Sequence, residues 1–171
     1  VVQMAPLAGY RIIASASTEE KCAYLRSLGA DHVFCYRQTD QKEAVLEATH
    51  GHGADIILGQ TAGPGMSSQL AYLAPLGTLL VYNYLGGAEN TGILEALIAG
   101  MAKCQSLRVF SFHYNDDKPE ALKALRSEVF TMLHQGKIKP HIFKTYSQAE
   151  IQEAHKTLDS GAFTGSLVLK F

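Results

Sequence analysis

Dense charge is missing from this sequence. No run of lysine and arginine could form a phosphate-backbone or membrane surface, and the formal net charge over 171 residues is −1. No nucleic-acid partner is expected. No apolar stretch is long enough to span a bilayer, and none reads as a secretory signal. Cysteine is scarce. Cys22, Cys35 and Cys104 have no C-x-x-C spacing, so they offer neither an even disulfide set nor a zinc knuckle. A reducing, cytoplasmic setting is therefore expected. Motifs for hydrolysis and phosphate transfer are also lacking. There is no nucleophile elbow, and the GPG at 63–65 is not followed by the G-K-S/T of a P-loop. The HGHG at 50–53 places two histidines in a turn without further ligands. Lys137, Lys139 and His141 make a short basic stretch that reads as a solvated edge. Internal repeats and low-complexity linkers are absent too.

What is present is a globular composition, 47% hydrophobic and 18% charged, with strands and helices in alternation. Residues 10–17 read as a buried strand. Ser17 and Glu20 form a capping-box signature before a helix that ends at Gly29. A strand at 31–36 follows, then a helix capped by Asp40 and Glu43 and closed by Gly51. The apolar run at 54–59 reads as a strand buried on both faces. A helix is expected at 66–74, strands at 78–84 and 106–112, and a helix at 92–103 between them. Pro119 suits the first turn of a long amphipathic helix stopped by Gly136. Beyond it lie an extended segment broken by Pro140, a helix capped by Ser147 and Glu150, and a final strand. Regular alternation with short connections predicts an α/β fold, an open, doubly wound, mostly parallel sheet. Such sheets bind ligands beyond the carboxyl ends of their strands.

Four phrases, in order, carry a family resemblance. They are ASASTEEKCAYLRSLGADHVFCYR, GADIILGQTAG, YLAPLGTLLVYNYLGG and LHQGKIKPHIFKTYSQAEIQEAHKTLDSGAFTGSLVL. Together they resemble the medium-chain dehydrogenase/reductase superfamily, in its zinc-independent NADPH:quinone oxidoreductase (zeta-crystallin-like) branch. The resemblance implies a Rossmann-like fold. It also accounts for the start of the chain. VVQMAPLAGYR lacks an initiating Met and reads as a helix interior, and Val2, Gln3, Met4 and Ala5 match the helix that follows the family's Gly-rich turn. The expectation is that the first strand, that turn and the catalytic domain lie upstream of Val1. Residues 1–136 are then a partial dinucleotide-binding domain, and 137–171 a return segment that packs on the catalytic domain. A chain of this extent is expected to be marginally stable alone. The strand at 106–112 resembles the edge through which family dimers pair, and an apolar edge strand also favours pairing physically.

The tip of the first strand is the informative place. NAD-dependent relatives hold an acid there for the ribose hydroxyl; this sequence has Ala16. Without the acid and with a cation nearby, NADPH is the expected cofactor. The resemblance matches Lys21 and Tyr36 to a lysine and tyrosine that hold the 2′-phosphate, and Ser17 can add a hydroxyl. An arginine that some relatives bring from the C-terminal segment is replaced here by Gly161. Further cofactor contacts are expected at Thr61, after the third strand, and at Tyr84, after the fourth. Gly59 stands where relatives carry an acid. No catalytic residue and no metal ligand is assigned. The implied reaction is hydride transfer to a small quinone or α,β-unsaturated carbonyl. An enoyl reductase, a zinc-type alcohol dehydrogenase relative, and an inactive binding or structural module remain open alternatives.

Overall fold

The computed structural model describes residues 1–59, 63, 65–83 and 92–171. It contains β1 (Ile13–Ala16), α1 (Glu19–Ser27), β2 (His32–Cys35), α2 (Gln41–Ala48), β3 (Ala54–Gly59), β4 (Leu73–Val81), α3 (Ile93–Ala99), β5 (Ser106–Val109), α4 (Pro119–His134), β6 (Ile142–Ser147), α5 (Ile151–Ser160) and β7 (Ser166–Lys170). Short 3-10 turns occupy Ala5–Ala8, Ser67–Tyr72, Met101–Lys103, Phe112–Asn115 and Gln148–Glu150. The strands form three sheets among the described residues: β1–β2, β3–β4–β5 and β6–β7. The pairings β3–β4, β4–β5 and β6–β7 are parallel. The mixed α/β architecture with parallel sheets matches the expected fold class.

The chain divides into two compact units. The first joins 1–33 to 126–171, and the second is 34–125. In the second, Met66, Leu70, Leu73, Leu79 and Val81 form a buried cluster, with Ile57, Ile93, Leu97 and Leu107 packed against it. One face of β3–β4–β5 is therefore covered by α3 and the 3-10 turn before β4. Expected burial of β3 on both faces does not hold, because Ile56 and Leu58 are 49% and 41% exposed. Gly53 is needed where this sheet begins. Its φ is +93°, and an added Cβ would lie 2.8–2.9 Å from the backbone of Tyr72, Leu73 and Ala74. The helix expected at 66–74 is shorter and tighter, because Leu73 and Ala74 already pair into β4. The strand expected at 106–112 stops at Val109, where the chain turns into a 3-10 segment capped by Ser111.

In the first unit, Tyr146 and Cys22 are almost fully buried. The Tyr146 hydroxyl donates to Thr157 Oγ1 at 2.8 Å, tying β6 to α5. The cap expected at Ser147 and Glu150 is present as a full capping box. The Gln3 side chain pairs with the backbone of Lys139 in both directions, its amide donating at 3.1 Å and its carbonyl accepting at 2.6 Å. This fastens the N-terminal segment to the C-terminal arm beside an open groove of about 480 Å³, lined in part by Lys137, Lys139 and His141.

Candidate cofactor-binding site

The tip of β1 is built from small residues. Ala14, Ser15 and Ala16 end the strand, and the chain then leaves it through Ser17 and Thr18. The expected capping box of Ser17 and Glu20 is corrected by one residue. Thr18 is the N-cap, with φ −138° and ψ 154°, and its hydroxyl accepts from the Lys21 N–H at 3.3 Å. The register shift has a physical reason. The first helical residue is Glu19, so the residue preceding it must have extended backbone and a side chain aimed at the third helical N–H. Lys21 is that third residue, so no carboxylate is placed to close a reciprocal box. Ser17 is left without capping duty, and its hydroxyl makes no hydrogen bond among the described residues.

Lys21 is half-buried, and its ammonium donates to the carbonyl of Gly161 at 2.5 Å. Gly161 is the left-handed C-cap of α5, with φ 61°. Its carbonyl therefore belongs to a helix C-terminus, where partial negative charge favours a cation. Two acids stand in the first turn of α1. Glu19 is turned along the helix to Arg26 at 2.5 Å, which raises the Arg26 pKa chiefly through that hydrogen bond. Glu20 makes no ion pair among the described residues. Among the described residues no carboxylate is paired with Lys21, and its direct partner there is the neutral Gly161 carbonyl. An acid-free strand tip, an unemployed hydroxyl and a pinned ammonium fit a phosphate monoester in charge and in hydrogen-bonding capacity.

Tyr36 follows β2 directly, in a turn, and is 43% exposed. It belongs to the second unit, whereas Ser17 and Lys21 belong to the first. Thr61 and Tyr84 lie outside the described residues. Gly59, the tip of β3, is buried, and a Cβ there would meet Leu79 Cδ1 at 3.4 Å and Val81 Cγ2 at 3.6 Å. A side chain at position 59 would thus start against the packed face of the sheet. The His52 ring meets Asp55 at 3.1 Å on an exposed turn, and no three His, Cys, Asp or Glu side chains converge as metal ligands among the described residues. Sequence reasoning missed Thr18 as the cap and Gly161 as the partner of Lys21. The helix-ending glycine was a readable signal for a turn, but a backbone carbonyl has no letter of its own.

The profile of zinc-binding dehydrogenases matches residues 1–129. A quinone oxidoreductase from Pseudomonas aeruginosa is 28% identical over 167 residues, covering 98% of this chain and 51% of that protein. The solved structure of CurK enoyl reductase superposes with a TM-score of 0.81 at 27% identity, over 99% of this chain and 49% of the other. The Escherichia coli quinone oxidoreductase, solved in complex with NADPH, superposes with a TM-score of 0.87 at 24% identity, over 98% and 52% of the two chains. The chain thus spans about half the length of these proteins, and 6–8% of the polyketide synthases it also matches. With the profile covering most of its length and a matching parallel α/β fold, the chain belongs to the zinc-binding dehydrogenase family of medium-chain dehydrogenases/reductases, whose members include quinone oxidoreductases.

Proposed function

We propose that this chain is the cofactor-binding portion of an NADPH-dependent oxidoreductase that reduces quinones or α,β-unsaturated carbonyls. One observation carries the reading: at a strand tip without an acid, the Lys21 ammonium rests on a neutral carbonyl. A carboxylate at such a tip accepts from the ribose 2′-hydroxyl and repels a 2′-phosphate; an ammonium attracts that phosphate. Lys21 would donate a charge-assisted hydrogen bond to the 2′-phosphate, with Ser17 adding a neutral one. Tyr36 is assigned to the same phosphate through the family resemblance, and Thr61 and Tyr84 to other parts of the cofactor. When bound, the dinucleotide supplies the hydride; the protein binds it, orients it and restrains the acceptor.

In this reading, 1–136 serve the nucleotide and 137–171 pack on a catalytic portion contributed by the rest of the protein. The protein works in the cytoplasm as a homodimer. The segment 106–112 is the pairing edge, supported by the place of β5 at the margin of its sheet and by the 77% exposure of Val109.

A second reading, enoyl reduction within a larger synthase, draws on the likeness to CurK enoyl reductase at 27% identity. Purified intact protein, given NADPH with either a benzoquinone or a 2-enoyl thioester, distinguishes the two. NADPH oxidation should be faster with the quinone. A reversed preference favours enoyl reduction. Binding of neither NADPH nor NADH would leave an inactive binding module.

A further inference from the structure

Among the described residues, the C-terminal arm makes a polar contact with the first turn of α1. Lys21 Nζ and the Gly161 carbonyl oxygen are 2.5 Å apart, joined across 140 residues of sequence. The carbonyl is presented by a well-defined corner. The Gly161 N–H donates to Leu158 O at 3.1 Å, closing the last turn of α5. Ser160 Oγ donates to Thr157 O at 2.7 Å and accepts from the Ala162 N–H at 3.1 Å, which holds the chain as it leaves the helix. The acceptor is thus fixed in place, polar and formally neutral.

We propose that Gly161 is a positioning residue for Lys21, and that through it the C-terminal arm sets how strongly the site discriminates by the 2′-phosphate. This rests on the assignment of Lys21 to that phosphate. The physical reason lies in the kind of partner. A carboxylate would hold Lys21 equally well but would neutralise it, and a phosphate would then gain little. A helix-end carbonyl holds the ammonium while leaving its full charge to act on an anion. An ammonium has three donors, so one can stay on Gly161 while others reach a ligand. Position 161 can also be altered without crowding. An added Cβ there has no heavy atom within 4 Å, and only the left-handed φ of +61° restricts the choice of residue. Asn and Asp tolerate that conformation best after glycine.

The contact also makes the arm a sensor. A ligand that draws on Lys21 changes the load on the Gly161 carbonyl, and therefore on the corner at 158–165. A nucleotide lacking the 2′-phosphate has no such effect.

The test uses the intact protein and the variants Gly161→Asp, Gly161→Asn and Lys21→Ala. Dissociation constants for NADPH and NADH are measured by fluorescence titration. Amide hydrogen exchange is followed with 2′,5′-ADP and with 5′-AMP. Gly161→Asp should weaken NADPH binding by about tenfold while leaving NADH within about twofold, as expected for neutralising one charge-assisted contact. Gly161→Asn has nearly the same shape without the charge and should keep the wild-type ratio. Exchange across 158–165 should respond to 2′,5′-ADP and not to 5′-AMP. Equal NADPH-to-NADH ratios in the Asp and Asn variants would overturn the role of Gly161, as would exchange at 158–165 indifferent to the 2′-phosphate. In either case a loss of NADPH affinity in Lys21→Ala leaves the phosphate assignment standing. If Lys21→Ala binds NADPH normally, that assignment fails and the role of Gly161 fails with it.

Discussion

Tyr72 shows how burial alone retunes a side chain. It is 6% exposed, and its hydroxyl donates to Gln41 Oε1 at 3.2 Å. Burial, reinforced by the negative charge of Asp40, pushes the phenol up to about 12. The folded state then keeps its proton where the unfolded chain loses it, so stability falls as pH rises from about 10 toward about 12. Urea midpoints of the intact protein should drop more steeply over that range in the wild type than in Tyr72→Phe; parallel curves would contradict the assignment. The candidate site was legible at this scale only where a side chain carries the chemistry. Ala16 in place of an acid and Lys21 beside it are visible as letters. The partner of Lys21 is a main-chain oxygen delivered by the left-handed turn after α5, and no pattern of residue types identifies which carbonyl a lysine will meet. The hydroxyl of Ser17 was legible as a candidate ligand at the strand tip, whereas the cap read there belongs to Thr18.

Helix ends and strand tips decide the local architecture. Thr18→Ala should cost about 1 kcal/mol of stability, and Ser17→Ala less than about half of that, because only the first removes a cap. Equal losses in thermal melts would return the cap to Ser17. At the other cap, Glu150 Oε2 accepts from both the N–H and the hydroxyl of Ser147, and these bonds hold its pKa below the usual carboxylate range. The box therefore stabilises the fold above that range and is lost as pH falls through the lowered value. Glu150→Gln should flatten the acid limb of the stability curve; an unchanged limb would contradict this. Gly53→Ala, forced into a left-handed backbone against the start of β4, should destabilise by more than about 1 kcal/mol. Most of these elements were readable in advance, since caps, terminal glycines and apolar runs are local signals. The start of β4 was not. Its first residues, LAP, look like the end of a helix and become strand only by pairing with β3, a contact remote in sequence. The exposed face of β3 was hidden for a similar reason. Ile56 and Leu58 are apolar enough for burial, but burial depends on what packs above them.

On the scale of the whole molecule, the chain belongs to one family, and a nucleotide and a homodimer are proposed for it. The family is carried by the profile match over residues 1–129 and by the parallel α/β fold. The proposed homodimer is argued from apolar side chains around the edge strand: Val109 is 77% exposed, Phe110 41% and Phe112 56%. Val109→Lys should shift the intact protein from dimer to monomer in light scattering, and a persistent dimer would move the interface elsewhere. No helix among the described residues is long and apolar enough to cross a membrane. The nucleotide is the central claim, and one measurement tests it most directly: the ratio of dissociation constants for NADH and NADPH in the intact wild-type protein and in Lys21→Ala. The account predicts preference for NADPH in the wild type and its loss by about tenfold or more in the variant, with NADH affinity nearly unchanged. Equal affinity for the two nucleotides in the wild type, or a ratio untouched by Lys21→Ala, would contradict it.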